Sequence, residues 1–119
     1  MSFDHDKLEV YQAAVAFLAL ANQITERRHR GRGYLRDQLN RAALSIVTNT
    51  AEGAGEMMPG EKARFYRMAS RSATECAALL DAHGVLSACD PATREEGRRL
   101  LLRIVSMLTV LAKRHQSSA

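Results

Sequence analysis

Apolar side chains recur at three- and four-residue spacing through four stretches of the chain. Leu8, Tyr11, Val15 and Leu18 open the first, widened by Ala14, Phe17, Ala21 and Ile24. Leu35, Leu39, Ala42 and Ile46 run through the second. Phe65, Met68, Ala69, Ser72, Cys76, Leu79 and Leu80 mark the third; Leu101, Ile104, Leu108 and Leu111, backed by Leu100 and Met107, mark the fourth. This is the period of an α-helix with one buried stripe. Helices are predicted over about 4–28, 34–56, 61–83 and 91–114. Asp4 is placed to cap the first, with Phe3 and Leu8 as a hydrophobic staple. Gly31 and Gly33 end it, Pro59-Gly60 turns the chain, Gly84 suits a helix C-terminus, and Asp90-Pro91 starts the last helix. Lys113 and Arg114 close that helix where cations suit its dipole. No stretch alternates apolar and polar residues long enough for a strand. The expectation is an all-α fold: one domain, 1–119, built as an antiparallel up-down-up-down four-helix bundle.

The second stretch is the most unusual. From Gln38 to Gly55 only Arg41 and Glu52 are charged. On a helix, Arg41, Ser45, Asn49 and Glu52 share a narrow arc, while Ala43, Leu44, Val47 and Ala51 occupy the far side. A helix apolar nearly all round is one buried nearly all round. One short subunit struggles to cover it, so a second copy is expected against it. Arg41 and Glu52 lie roughly 16 Å apart along the axis, too far to pair. Each then needs a partner elsewhere, because a buried lone charge is costly. Glu75 is the candidate for Arg41 and Arg71 for Glu52, giving a structural polar network of Arg41, Ser45, Asn49, Glu52, Arg71 and Glu75.

Composition changes the picture in three ways. Aromatic residues make up 5% of the 119 and tryptophan is absent, a balance that favours helix over sheet. The net charge is +4, mostly from arginine, which suits phosphate contact without establishing it. The densest cluster is ERRHRGRG, with Arg27, Arg28, Arg30 and Arg32; Arg64 and Arg67 add a stripe on the third helix. These six are the candidate nucleic-acid-binding residues, although no aromatic residue interleaves with the first cluster as a stacking surface would want. The ordinary alternative is a solvated corner at a helix C-terminus.

Catalytic signals are weak. A single Glu-x-x-His, Glu26 to His29, lacks the second copy that a di-metal bundle needs. His5, His83 and His115 are scattered, and Ser45 has no histidine at helical reach. Cys76 and Cys89 form no CxxC pair and are read as reduced thiols. No catalytic residue, cofactor or metal is expected. The N-terminus is acidic rather than signal-like and no apolar run is long enough for a bilayer, so a cytoplasmic protein with no membrane partner is expected.

With these residues in place the chain resembles the 23S rRNA intervening-sequence proteins, from LEVYQAAVAF through YLRDQLNRAALSIVTNTAEGAGE to ATEC. The block RAALSIVTNTAEG is the most specific: Arg41, Ala42, Ser45, Ile46, Asn49, Ala51, Glu52 and Gly53 match, as do Ser72 and Glu75. Tyr11, Val47, Thr50 and Arg71 depart from the family pattern. The resemblance implies a four-helix bundle assembling into a ring, commonly a pentamer, with no established enzymatic activity. It is similar in fold to a retroelement accessory protein that binds a reverse transcriptase and nucleic acid. The functional expectation is therefore a non-enzymatic homo-oligomer contacting RNA, DNA or a nucleic-acid-processing protein through its arginines. A protein–protein scaffold that binds no nucleic acid is the alternative.

Overall fold

The three- and four-residue periodicity folds as helix in all four stretches. A computed structural model describes residues 1–26 and 32–116. Its elements are α1 (Glu9–Glu26), α2 (Gly33–Gly55), α3 (Pro59–Val85) and α4 (Pro91–Arg114), with no strand among the described residues.

The helix ends show which local signals prevailed. α1 starts at Glu9, not near Asp4. The Asp6 carboxylate accepts the Phe3 N–H at 2.8 Å, and the Leu8 N–H donates to the His5 carbonyl at 3.0 Å, so a turn precedes the helix. Phe3 is 75% exposed and forms no staple; its ring stacks on His5 instead. α3 runs through Gly84 to Val85, and Ser87 takes the positive φ of 57° in the turn that follows. Gly84 has a different use. A Cβ there would stand 3.0 Å from Arg94 Cδ, so the missing side chain lets Arg94 lie close. α4 begins as its sequence indicates: Asp90 accepts the Thr93 N–H and hydroxyl, each at 2.9 Å, and Pro91 fills the first turn.

Each helix packs on two neighbours. α2 lies against α1 and α3, α4 against α3 and α1, and among the described residues neither diagonal pair makes contact. Phe17, Leu39, Ile46, Leu80, Ile104 and Leu108 are fully buried at the centre. Burying a side chain of that size contributes roughly 1.5–3 kcal/mol. Ala14, Ala21, Ala43, Ala69 and Ala73, all without exposed surface, let the helix backbones approach. Contacts between helices set their register. Thr25 donates to Asn40, Ser45 meets Ser72, Arg98 pairs with Asp81, and Arg103 pairs with Glu9.

Within one subunit α2 is not enclosed. Gln38, Arg41, Leu44, Thr48 and Glu52 are exposed, Leu44 by 50%, with Val47 and Ala51 half-buried beside them. The uncovered arc is more polar than its sequence suggests, because Ala43 turns into the core. No described helix is long and apolar enough to cross a membrane.

Candidate functional site

The α2/α3 seam holds the polar residues of the most specific sequence block. Ser45 Oγ lies 2.8 Å from Ser72 Oγ, Asn49 Nδ2 donates to Ser45 Oγ and to the Ser45 carbonyl at 3.0 Å, and Ser72 Oγ donates to the Met68 carbonyl at 3.2 Å. Ser45 and Ser72 thus meet across facing helices, part-buried, while Asn49 bonds back to Ser45 within α2, at a net gain of about 1 kcal/mol per bond. The charged members of the expected network stay outside it. Arg41, Glu52, Arg71 and Glu75 are all exposed, and among the described residues no ion pair joins Arg41 to Glu75 or Arg71 to Glu52. Facing water, these side chains need no partner within the subunit. The cost of a buried charge, which motivated the pairing, does not arise in a lone chain.

At the α2 end, Gly53 meets the Tyr66 ring and Lys62 reaches across. Lys62 Nζ donates to the Gly53 carbonyl at 3.0 Å and to the Ala54 carbonyl at 2.7 Å. Those carbonyls have no partner inside the helix, and an ammonium also suits the negative end of its dipole.

The candidate arginines do not form one surface. Arg27, Arg28 and Arg30 lie outside the described residues. Arg32 is half-buried, with Nη1 donating to the Leu86 carbonyl at 2.6 Å, which ties the start of α2 to the turn after α3. Arg64 stands roughly 33 Å away along the α3 axis. It pairs with Glu61 at 2.9 Å and covers the Phe65 ring at 4.7 Å. Hydrogen bonding and charge from Glu61, with smaller contributions from Glu56 and Glu52, hold its guanidinium above the ordinary arginine range. The same contact lowers the Glu61 carboxyl. Arg64 thus keeps its charge but is already engaged by Glu61 in an exposed pair. Arg67 is exposed and has no ion pair among the described residues.

The model of the 23S rRNA-intervening sequence protein family matches residues 6–110, nearly the whole chain. The chain belongs to the 23S rRNA-intervening sequence protein family. No curated protein matches it in sequence. The family-matched span contains Ser45, Asn49 and Ser72 together with Gly53 and Tyr66, and both Ser45–Ser72 and Gly53–Tyr66 are contacts between helices.

Several features of this family member were missed in the sequence. Lys62 reads as one more surface cation, because nothing local reports that the α2 carbonyls lie within its reach. His83 is 1% exposed, with Nδ1 at 2.8 Å from the Leu79 carbonyl and Nε2 buried without a partner. The Thr50 hydroxyl is likewise buried and unpartnered. Its departure from the family pattern was the available signal. Tyr34, two positions beyond Arg32, is an exposed aromatic close to the basic corner. No group of three or more His, Cys, Asp or Glu able to hold a metal occurs among the described residues.

Proposed function

We propose that the chain is a non-enzymatic antiparallel up-down-up-down bundle that assembles with itself, as a pentameric ring, and serves in the cytoplasm as an accessory factor contacting RNA, DNA or a nucleic-acid enzyme. No cofactor takes part. The antiparallel reading is supported by contacts between the end of one helix and the first half of the next: Thr25 with Asn40 and Asp81 with Arg98. Self-assembly is supported by half-exposed Leu44 on α2, set among the exposed Arg41, Glu52, Arg71 and Glu75, which form no ion pair among the described residues.

The observation that carries the nucleic-acid reading is the location of the charge. Arg27, Arg28, Arg30 and Arg32 fall within six consecutive residues of the sequence, and Arg32 is joined to the Leu86 carbonyl. The α3 stripe contributes less, since Arg64 is held by Glu61. A ring multiplies the subunit charge, and phosphate binding is chiefly electrostatic.

The test is retention of labelled RNA across a salt series by the natural protein and by an Arg27/Arg28/Arg30/Arg32→Ala variant. Four lost phosphate contacts flatten the log–log salt slope by roughly 3 for a single strand. Identical slopes sink the corner as a binding surface. The solution mass, compared with the 13.2 kDa subunit, tests the ring in the same preparation. A scaffold binding only protein is favoured instead by Met57 and Met58, 90% and 66% exposed, since methionine surfaces adapt to apolar partners. An intact oligomer that retains no RNA at low salt supports that reading.

A further inference from the structure

We infer that Tyr34 is a base-stacking residue, and that the polynucleotide bound at the Arg32 corner is single-stranded. The inference rests on the nucleic-acid reading above and narrows its ligand.

The tyrosines differ sharply in what their rings already touch. Tyr66 is 2% exposed, with its ring against Gly53 and tilted on His115. Tyr11 is half-buried and its ring meets His5 at 4.4 Å. Tyr34 is 68% exposed and has no ring, cation or hydrogen-bond partner among the described residues. Both the ring face and the hydroxyl of Tyr34 are therefore open to a ligand.

Its setting is basic and rigid. Tyr34 sits in the first turn of α2, a turn without an acidic residue or a side-chain cap. Arg32 is fixed by its bond to the Leu86 carbonyl, which uses one donor of a guanidinium that carries five. The remaining donors are held in place, so less freedom is lost when they bind phosphate. The Arg36 guanidinium folds back over Gly33, within 3.7 Å of where a Cβ would stand there. Val85, 82% exposed, lies beside Leu86 at the same corner and adds an apolar edge. A cation beside an open aromatic ring supplies the parts of a single-strand platform: phosphate goes to Arg32 and a base goes to the ring. A duplex keeps its bases stacked on one another and has no use for the ring.

The experiment measures binding of fluorescein-labelled oligouridylate, the DNA oligomer of matching length and a duplex RNA by fluorescence anisotropy. Tyr34→Ala is expected to weaken both single strands roughly five-fold or more, the loss of one stacked base, and to leave the duplex unchanged. Tyr34→Phe keeps the ring and is expected to bind as the natural protein does. Equal single-strand binding by Tyr34→Ala and the natural protein overturns the stacking role but leaves the arginine corner standing. A loss shared by the duplex, or a changed solution mass, assigns Tyr34 to general packing or subunit contact and also overturns it. Failure of the natural protein to bind any of the three overturns the nucleic-acid reading itself, and the stacking with it.

Discussion

Gly53→Ala sets two effects of comparable size against each other, and the structure decides between them. A Cβ at Gly53 would stand 2.8 Å from Tyr66 Cε1 and 2.9 Å from Cδ1. The ring must retreat by about 0.7 Å to reach the 3.5 Å at which carbon–carbon contact is favourable. Tyr66 is 2% exposed and its ring also meets His115, so a planar ring held in packing must move rather than a flexible side-chain tip. Overpacking of this kind costs typically 1–3 kcal/mol. Against it stands the helix propensity of alanine over glycine, about 1 kcal/mol and less at a helix end. The expected net is a loss of about 1 kcal/mol, or about 4 °C in Tm for a chain of this length. Gly55→Ala is the internal control: it shares the last turn of α2 and its Cβ meets nothing within 4 Å, so it should stabilise slightly. Urea unfolding of both variants, at one fixed protein concentration, separates packing from propensity. The Tyr66→Ala background should abolish the Gly53→Ala penalty. Equal stabilisation by Gly53→Ala and Gly55→Ala refutes the steric argument.

Four further outcomes follow from other contacts. Thr50→Val removes a buried hydroxyl that has no partner and should raise stability by about 1 kcal/mol in urea unfolding; a loss would show that the hydroxyl is satisfied after all. Lys62→Met strips two carbonyls at the end of α2 of their donor and should cost about 1–2 kcal/mol, read as a lower urea midpoint with an unchanged slope. Burial, with a smaller contribution from the Glu75 charge, pushes the Cys76 thiol from 9.0 up to about 12. The folded state then keeps a proton that the unfolded chain releases, so the contribution to stability is complete below pH 9 and is lost between about 9 and 12. Cys76→Ala should flatten that alkaline decline, and an unflattened curve assigns it to other groups. In the native protein iodoacetamide should label half-buried Cys89 well before Cys76.

Helix number and the second and fourth apolar stripes were legible in the sequence because both follow from local periodicity. Asp90-Pro91 was legible for the same reason, since a cap and its recipient Thr93 are three residues apart. The first and third stripes were legible only in part. α1 buries Val10, Ala14, Phe17 and Ala21 rather than Leu8, Tyr11, Val15 and Leu18, and α3 buries Tyr66, Ala73 and His83 while Phe65 and Met68 are half-buried. The ends of α1 and α3 were not legible. Asp4 and Asp6 compete for one turn, and the choice between them depends on where Phe3 finds a neighbour. Gly84 looks like a terminator, yet its role is to make room for Arg94, which arrives from another helix.

The candidate site divides along the same line. Its chemistry was written in residue types: arginines at the Glu26–Gly33 corner, and serine with asparagine along α2. Which of them meet was settled only by helix packing. Folding put Ser45 against Ser72, left Arg41, Glu52, Arg71 and Glu75 facing water, paired Arg64 with Glu61, and exposed Tyr34. The linear chain alone determined its helices and its charge, because neighbours within a turn or two are enough for both. Partners, burial and the free ring face depend on residues tens of positions away, and only the packed helices bring those within reach.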